Sequence, residues 1–155
     1  MKVAVIGYEK VAESPQLRAK IEEEILNLIE SGADTFYFCG TKNGFDCLCY
    51  EAVWKLAQNK NIKRVLARAH YECVSIEEDI FEYLIEFTEE RAFCANSRSH
   101  MLTVYIKPFK DIIDLCDVLL TYMKASGDRQ LKFVVNAVKY AKIRKKKIIN
   151  VFKLL

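Results

Sequence analysis

Residues 38–52 read "FCGTKNGFDCLCYEA" and join an aromatic, β-favouring run to a helical pattern. Gly40 and Gly44 lie four residues apart in the turn, and Asp46 follows near the predicted start of the helix. Glycine permits tight turns and lets backbone N–H groups approach a ligand closely. A strand that enters a helix through such a turn is typical of a parallel α/β sheet. The stretch therefore predicts a fold class and one corner of a ligand site.

The flanking sequence repeats the same alternation of strands and helices. Apolar runs predict strands at residues 2–6, 35–39, 62–69, 91–95, 117–122 and 146–152. Helices are predicted from Pro15 to a stop at Gly32, from the Gly44 turn to residues 58–61, from Ser75 through Leu84, from His100 to Leu115, and along the stripe Leu131–Ala141. In the second helix we expect Leu48, Ala52 and Leu56 to share one face. This pattern predicts an α/β fold, a three-layer α/β/α sandwich with a mainly parallel central sheet.

The composition fits one globular domain spanning residues 1–155. Apolar residues make up 52% and charged residues 29% of the chain, which excludes a disordered protein. No apolar run approaches the roughly 20 residues that span a bilayer, so we expect no membrane partner. The opening "MKVAVIGYEK" becomes polar too early for a secretory signal. We therefore predict a cytoplasmic protein.

The cysteines and histidines do not form a metal-binding pattern. The six cysteines are Cys39, Cys47, Cys49, Cys73, Cys94 and Cys116, and they contain no C-x-x-C pair. His70 and His100 lie far apart in sequence. Because zinc sites show close ligand pairs, we predict no metal and no cofactor. We expect the thiols to behave as small buried hydrophobic groups.

The net charge of +3 is unevenly distributed along the chain. After Asp128 there is no acidic residue, whereas arginines and lysines recur from Arg129 to Lys153. Such a stretch either binds nucleic acid or forms a solvated helix face whose cations suit a helix C-terminus. The pattern favours the solvated face, and nucleic acid stays an alternative partner.

Ligands of open parallel sheets bind outside the carboxyl ends of the strands, where the strand order reverses. Three glycine-bearing turns are predicted there, each leading to a helix N-terminus that favours an anion. The candidate ligand-binding residues in these turns are Gly7, Tyr8, Glu9, Lys10, Gly40, Thr41, Gly44, Asp46, Ser126, Gly127 and Arg129. Glu9 is the candidate for a ribose or base contact, and Lys10 or Arg129 for a phosphate. Asp46 either caps its helix or accepts a hydrogen bond from a ribose hydroxyl.

These turns, with the strands around them, resemble the SLOG superfamily, most closely its YpsA-like branch. Gly40, Gly44 and Asp46 match that family's glycine, glycine and aspartate motif, and Asp117 matches the aspartate of its "s-D-x-L-I-x-x" strand. The resemblance implies a single Rossmann-like domain over the whole chain. It also implies binding of a nucleotide or a nucleotide-derived small molecule, and some relatives cleave such ligands at the glycosidic bond.

The chain departs from this family at three positions. The branch's threonine-glycine-histidine-arginine stretch is here Ile6-Gly7-Tyr8-Glu9, and an expected arginine-asparagine pair falls near Pro108 and Phe109. The glycine-glycine-threonine turn is reduced to Ser126-Gly127-Asp128. The sequence also contains no G-x-G-x-x-G, no P-loop and no G-x-S-x-G. No complete catalytic set is visible.

Three functions are therefore open at the level of the sequence. The first is binding of a nucleotide-derived small molecule at the three turns. The second is a nucleoside or nucleotide glycosidic hydrolase or transferase, with Glu9, Asp46 or Glu51 as nucleophile or general acid and Tyr8 orienting it. The third is a degenerate domain that acts in self-association, as a homo-oligomer, or in partner binding.

Overall fold

A computed structural model describes residues 1–8, 11–38, 44–57, 61–66, 110, 112–124 and 132–155. The strands in chain order are β1 (Lys2–Gly7), β2 (Thr35–Phe38), β3 (Lys63–Leu66), β4 (Val118–Tyr122) and β5 (Lys147–Asn150). The helices are α1 (Pro15–Glu30), α2 (Phe45–Leu56) and α3 (Lys132–Ile143), and a 3-10 helix (Val151–Leu154) follows β5. Residues 112–115 are also helical. The predicted alternation of strands and helices is confirmed over these residues.

The strands form one five-stranded, all-parallel sheet in the order β3-β2-β1-β4-β5. The first strand is central: Val3 lies opposite Phe36 of β2 on one side and Val118 of β4 on the other. Parallel crossovers are right-handed, and the chain moves in opposite directions from β1 to β2 and from β4 to β5. This rule places α1 and α2 on one face of the sheet and α3 on the other. The result is the predicted Rossmann-like α/β fold.

The core explains why the central strands read as continuous apolar runs. Strands β1 and β4 are buried along their length apart from Lys2, because helices cover both faces of a parallel sheet. Helix α1 buries the predicted stripe of Leu17, Ile21, Ile25 and Leu28. Helix α1 also packs against α2.

The ends of α1 follow the signals in the sequence. The Ser14 hydroxyl accepts a hydrogen bond from the Leu17 N–H at 3.1 Å, and Pro15 occupies the first turn. At the other end the chain leaves the helix through Gly32, whose φ of 102° lies in the left-handed region. Glycine adopts this conformation without the steric cost of a Cβ.

The predicted face of α2 packs against the core, with Ala52 buried and Leu48 and Leu56 partly buried. Beside it, Phe45, Cys49 and Val53 are fully buried. The predicted end of the last strand is wrong, because β5 ends at Asn150 rather than Phe152. The Asn150 side chain accepts a hydrogen bond from the Phe152 N–H at 3.2 Å and starts the 3-10 helix.

Several predicted elements lie outside the described residues. They are the strand at 91–95, the helix after Ser75, the residues of the third strand beyond Leu66, and the start of the His100–Leu115 helix. Within the ranges that the structure covers, no helix combines the length and the apolar character needed to cross a membrane.

Candidate functional site

The strand order reverses between β1 and β4, and this is the point where a ligand site was predicted. Gly7 at the end of β1 lies opposite Tyr122 at the end of β4. Of the predicted site residues, the structure describes Gly7, Tyr8, Gly44 and Asp46. The others lie outside the described residues: Glu9, Lys10, Gly40, Thr41, Ser126, Gly127 and Arg129.

Gly7 is required by packing against the start of α2. A Cβ at this position would lie 2.4 Å from Phe45 Cδ1 and 2.7 Å from Phe45 Cβ. The Phe45 side chain is completely buried, so it has little room to move away. The Gly7 N–H donates a hydrogen bond to Asp46 Oδ1 at 3.2 Å. This amide therefore binds the protein itself.

Asp46 holds α2 against β1. The Asp46 residue is only 3% exposed. The N-cap of α2 is Gly44, so the predicted capping role of Asp46 is wrong; its carboxylate accepts the N–H of a strand residue instead. Next to it, the Phe45 N–H donates to the Tyr8 carbonyl at 2.9 Å. Two hydrogen bonds between α2 and the end of β1 thus fix this corner.

The Tyr8 side chain bridges the ends of β1 and β4. Its hydroxyl accepts the Lys124 N–H at 2.8 Å and donates to the Lys124 carbonyl at 3.4 Å. The residue is 5% exposed, so its ring is packed inside the protein. Tyr8 therefore joins the two strands across the point where the sheet order reverses.

Aromatic rings fill the described part of this rim. We name Tyr8, Phe45, Tyr122 and Phe152 the aromatic cluster. The Tyr122 ring centroid lies 5.7 Å from that of Tyr8, 5.7 Å from that of Phe45 and 5.5 Å from that of Phe152. Burial raises the pKa of the Tyr122 hydroxyl, and the nearby Tyr8 phenol raises it further. The cluster gives the rim an apolar floor.

Glu51, a candidate nucleophile, lies away from this rim. It is five residues beyond Asp46, on a different side of α2, and its Oε2 is 3.0 Å from Arg18 Nη1 of α1. The pair is exposed and links the two helices on the outer surface. The structure thus does not bring Glu51 and Asp46 together.

The described cysteines behave as buried hydrophobic groups rather than as reactive thiols. Cys49 and Cys116 are buried, as predicted, and Cys47 is partly exposed. Burial raises the pKa of Cys116 to about 12 and that of Cys49 well above the usual range. Among the residues with described positions, no three His, Cys, Asp or Glu side chains come together as a metal site.

Part of the basic C-terminal stretch stabilises the fold. Arg144 Nε lies 2.8 Å from Asp114 Oδ1, and Lys146 Nζ donates to the Asp114 carbonyl at 3.4 Å. Tyr140 donates to the other carboxylate oxygen at 2.8 Å. These contacts attach the end of α3 to the segment before β4, which is consistent with the structural interpretation of these cations.

Sequence reasoning missed the polar residues at the ends of β4 and β5. Asn150 Oδ1 accepts the Met123 N–H at 3.1 Å, and its Nδ2 donates to the Met123 carbonyl at 2.9 Å. Thr121 is 1% exposed, and its hydroxyl has no hydrogen-bond partner in the described part of the chain. In the sequence, these residues are visible only as polar side chains within apolar runs: Thr121 in "DVLLTY" and Asn150 in "KKIINVF".

No protein-family model matches the chain, and no curated protein is significantly similar to it. A functional assignment must therefore come from the fold and the chemistry of its surfaces.

Proposed function

We propose that the chain binds a nucleotide or a nucleotide-derived small molecule at the carboxyl ends of β1, β2 and β4. The observation that supports this most is the strand order β3-β2-β1-β4-β5 with all strands parallel. Because the order reverses between β1 and β4, the connections that follow these strands diverge to opposite faces of the sheet. In open parallel sheets, ligands bind outside the carboxyl ends of the strands at such a point of divergence.

In this proposal the described residues shape the floor of the site. The Gly7 amide, the Asp46 carboxylate and the Tyr8 hydroxyl are all bound to other parts of the chain. Their role is to hold β1, α2 and β4 in place beneath the ligand. The buried rings of Tyr8 and Tyr122 form an apolar layer beneath the rim and support the residues that would contact the ligand.

The direct polar contacts are assigned from the sequence. Glu9 is proposed to bind the ribose or the base, and Lys10 or Arg129 the phosphate. Both cations carry donors that match anionic oxygens. The resemblance to the SLOG superfamily points to the same class of ligand.

The positions of Glu51 and Asp46 favour ligand binding over glycosidic cleavage. A nucleophile or general acid must lie beside the anomeric carbon of the substrate. Glu51 pairs with Arg18 on the outer surface, and Asp46 is 3% exposed beside the Gly7 amide. Neither of these two carboxylates is presented to a bound sugar in this arrangement, and Glu9, the third candidate, lies outside the described residues.

The test is a thermal-shift and calorimetric screen against nucleoside mono-, di- and triphosphates, cyclic dinucleotides and nicotinamide dinucleotides. A ligand present at about a hundred times its dissociation constant adds roughly 2.7 kcal/mol to the free energy of unfolding. We expect Lys10→Gln or Arg129→Gln to weaken binding roughly tenfold, since a charge-assisted hydrogen bond is lost.

Lys139→Gln is the matched control, because Lys139 is an exposed lysine on α3. It removes the same charge and should leave the affinity unchanged. Absence of binding by every nucleotide in the screen would exclude the proposed function. Equal losses in all three variants would show that only the overall charge matters, and would exclude the assigned phosphate contacts.

A further inference from the structure

An open cavity of about 530 Å³ lies beside the edge strand β5 and reaches Thr121 and Met123 at the carboxyl end of β4. It extends around the strand, from Glu24 of α1 on one face of the sheet to Val138 of α3 on the other. Its volume falls within the roughly 300–1,000 Å³ of small-molecule sites. None of the residues assigned to nucleotide binding lines it.

Most of the cavity wall is apolar. Val138, Ile148, Ile149 and Leu154 all line it. Ile148 and Ile149 are only partly buried, and no strand among the described residues pairs with the outer edge of β5. An occupant with an apolar body would remove these side chains from water, at roughly 25 cal/mol for each Å² of apolar surface.

A buried hydroxyl in the wall lacks a partner. Thr121 lines the cavity, is 1% exposed, and its Oγ1 makes no hydrogen bond within the described residues. Its neighbour across the sheet is Asn150, whose amide binds the Met123 backbone and the Phe152 N–H. Asn150 forms no hydrogen bond with Thr121. Buried polar side chains normally have partners, so this hydroxyl points to a ligand oxygen.

The charged groups around the cavity favour an anion. Lys142, Lys147 and Lys153 line it with exposed side chains, and none of the three forms an ion pair with a residue of known position. Glu24 is the acidic lining residue, and its carboxylate lies 3.1 Å from the Lys20 ammonium. The Lys20 ammonium also lies 2.9 Å from Glu23, so it offsets the Glu24 charge only in part. Three lining lysines against this one lining carboxylate leave a positive potential at the cavity.

We propose that this cavity binds an amphipathic organic anion, with one carboxylate or phosphate group on an apolar body. The body lies on Val138 and Ile148, on the sheet face to which Thr121 also projects. The anionic oxygens are attracted by Lys142 and Lys147, and one of them accepts a hydrogen bond from the Thr121 hydroxyl. The site adjoins the proposed nucleotide site at the end of β4 but uses different residues, so either one can exist without the other.

The first experiment uses octanoate and octyl phosphate as probes, with octanol, acetate and inorganic phosphate as controls. Binding is followed through the methyl NMR signals of Val138 and Ile148 in the full chain. Both amphipathic anions should shift these signals saturably, and their relative affinity distinguishes a carboxylate ligand from a phosphate ligand. Octanol should bind roughly tenfold more weakly, because it lacks the charge that the lysines attract. Acetate and phosphate lack the apolar body and should leave the methyl signals unchanged.

The second experiment compares two double variants that remove the same charge. K142Q/K147Q should weaken octanoate binding roughly tenfold, while K139Q/K145Q should change it less than about twofold. All four lysines are exposed, so both proteins should fold normally. Equal weakening by the two variants would overturn the proposal, as would octanol binding as tightly as octanoate or unchanged methyl signals.

Thr121→Val tests the hydroxyl separately. Valine keeps the shape of threonine and removes only the hydrogen-bonding group, so octanoate should bind about fivefold more weakly. The affinity of the Thr121→Val variant for octanol shows whether the substitution changes the packing of the cavity. Octanoate binding equal to that of the unaltered protein would exclude a role for this hydroxyl.

Discussion

The β1–α2 corner and the end of β4 differ in whether their buried polar groups have hydrogen-bond partners. At the corner, the Gly7 amide, the Asp46 carboxylate and the Tyr8 hydroxyl each bind another part of the chain. At the end of β4, the Thr121 hydroxyl is equally buried but has no partner within the described structure. The corner was predicted from a motif, whereas Thr121 belongs to no motif.

The difference shows that a glycine and an aspartate at a turn do not by themselves mark a ligand contact. Internal hydrogen bonds give such residues a structural role, because each buried donor or acceptor must be satisfied. A buried group that the chain leaves unsatisfied is the better indicator of an external partner. Substitutions in the two regions should therefore have opposite effects on stability.

The largest effect is expected for Gly7→Ala. The added methyl group would overlap the buried Phe45 ring, since the nearest approach is 2.4 Å. We expect the free energy of unfolding to fall by about 3 kcal/mol, as for severe overpacking. Urea denaturation followed by circular dichroism measures this change.

Gly32→Ala is the contrasting variant. Gly32 has a positive φ of 102° but no atom near the position of an added Cβ. Only backbone strain opposes the substitution, so the loss should be about 1 kcal/mol. Similar losses for the two variants would contradict the packing role of Gly7.

A smaller loss is expected for Tyr8→Phe. The substitution keeps the ring and removes the hydroxyl that binds both backbone groups of Lys124. We expect the free energy of unfolding to fall by about 1.5 kcal/mol, the upper range for neutral hydrogen bonds. Tyr122→Phe is the control in the same aromatic cluster, and a loss as large there would show that the Lys124 bridge is not the cause.

The smallest effect, and the opposite sign, is expected for Thr121→Val. Removing a buried hydroxyl that has no partner should raise the free energy of unfolding by about 1 kcal/mol. Thr35→Val is the matched control, because the Thr35 hydroxyl donates to Asp34 Oδ1 at 3.1 Å. That variant should lose stability. A loss at both threonines would remove the contrast between the two regions.

Local patterns in the sequence were sufficient to predict the framework. Aliphatic and aromatic runs located the five described strands, and Ser14, Pro15 and Gly32 bounded α1. These signals act over a few residues and need no knowledge of the tertiary structure. The early end of β5 at Asn150 was missed because its side chain binds Met123, 27 residues earlier in the chain.

The candidate site was harder to predict, because its contacts join distant residues. Asp46 binds an amide 39 residues away, and Tyr8 binds a backbone group 116 residues away. From the spacing of residues alone, a hydrogen bond to a distant part of the chain cannot be distinguished from a hydrogen bond to a ligand. The cavity at β5 is similar, since its wall combines α1, β4, α3 and the 3-10 helix, which are contiguous only after folding.

The central position of β1 has a consequence for synthesis of the chain. Lys2 and Asp117, which are joined by a 2.9 Å hydrogen bond, are separated by 115 residues. On the ribosome, β1 can pair with β2 early but must wait for β4, so one of its edges stays unpaired while most of the chain is translated. Unpaired strand edges promote aggregation. The nascent polypeptide is therefore most in need of chaperone protection before residue 118 emerges.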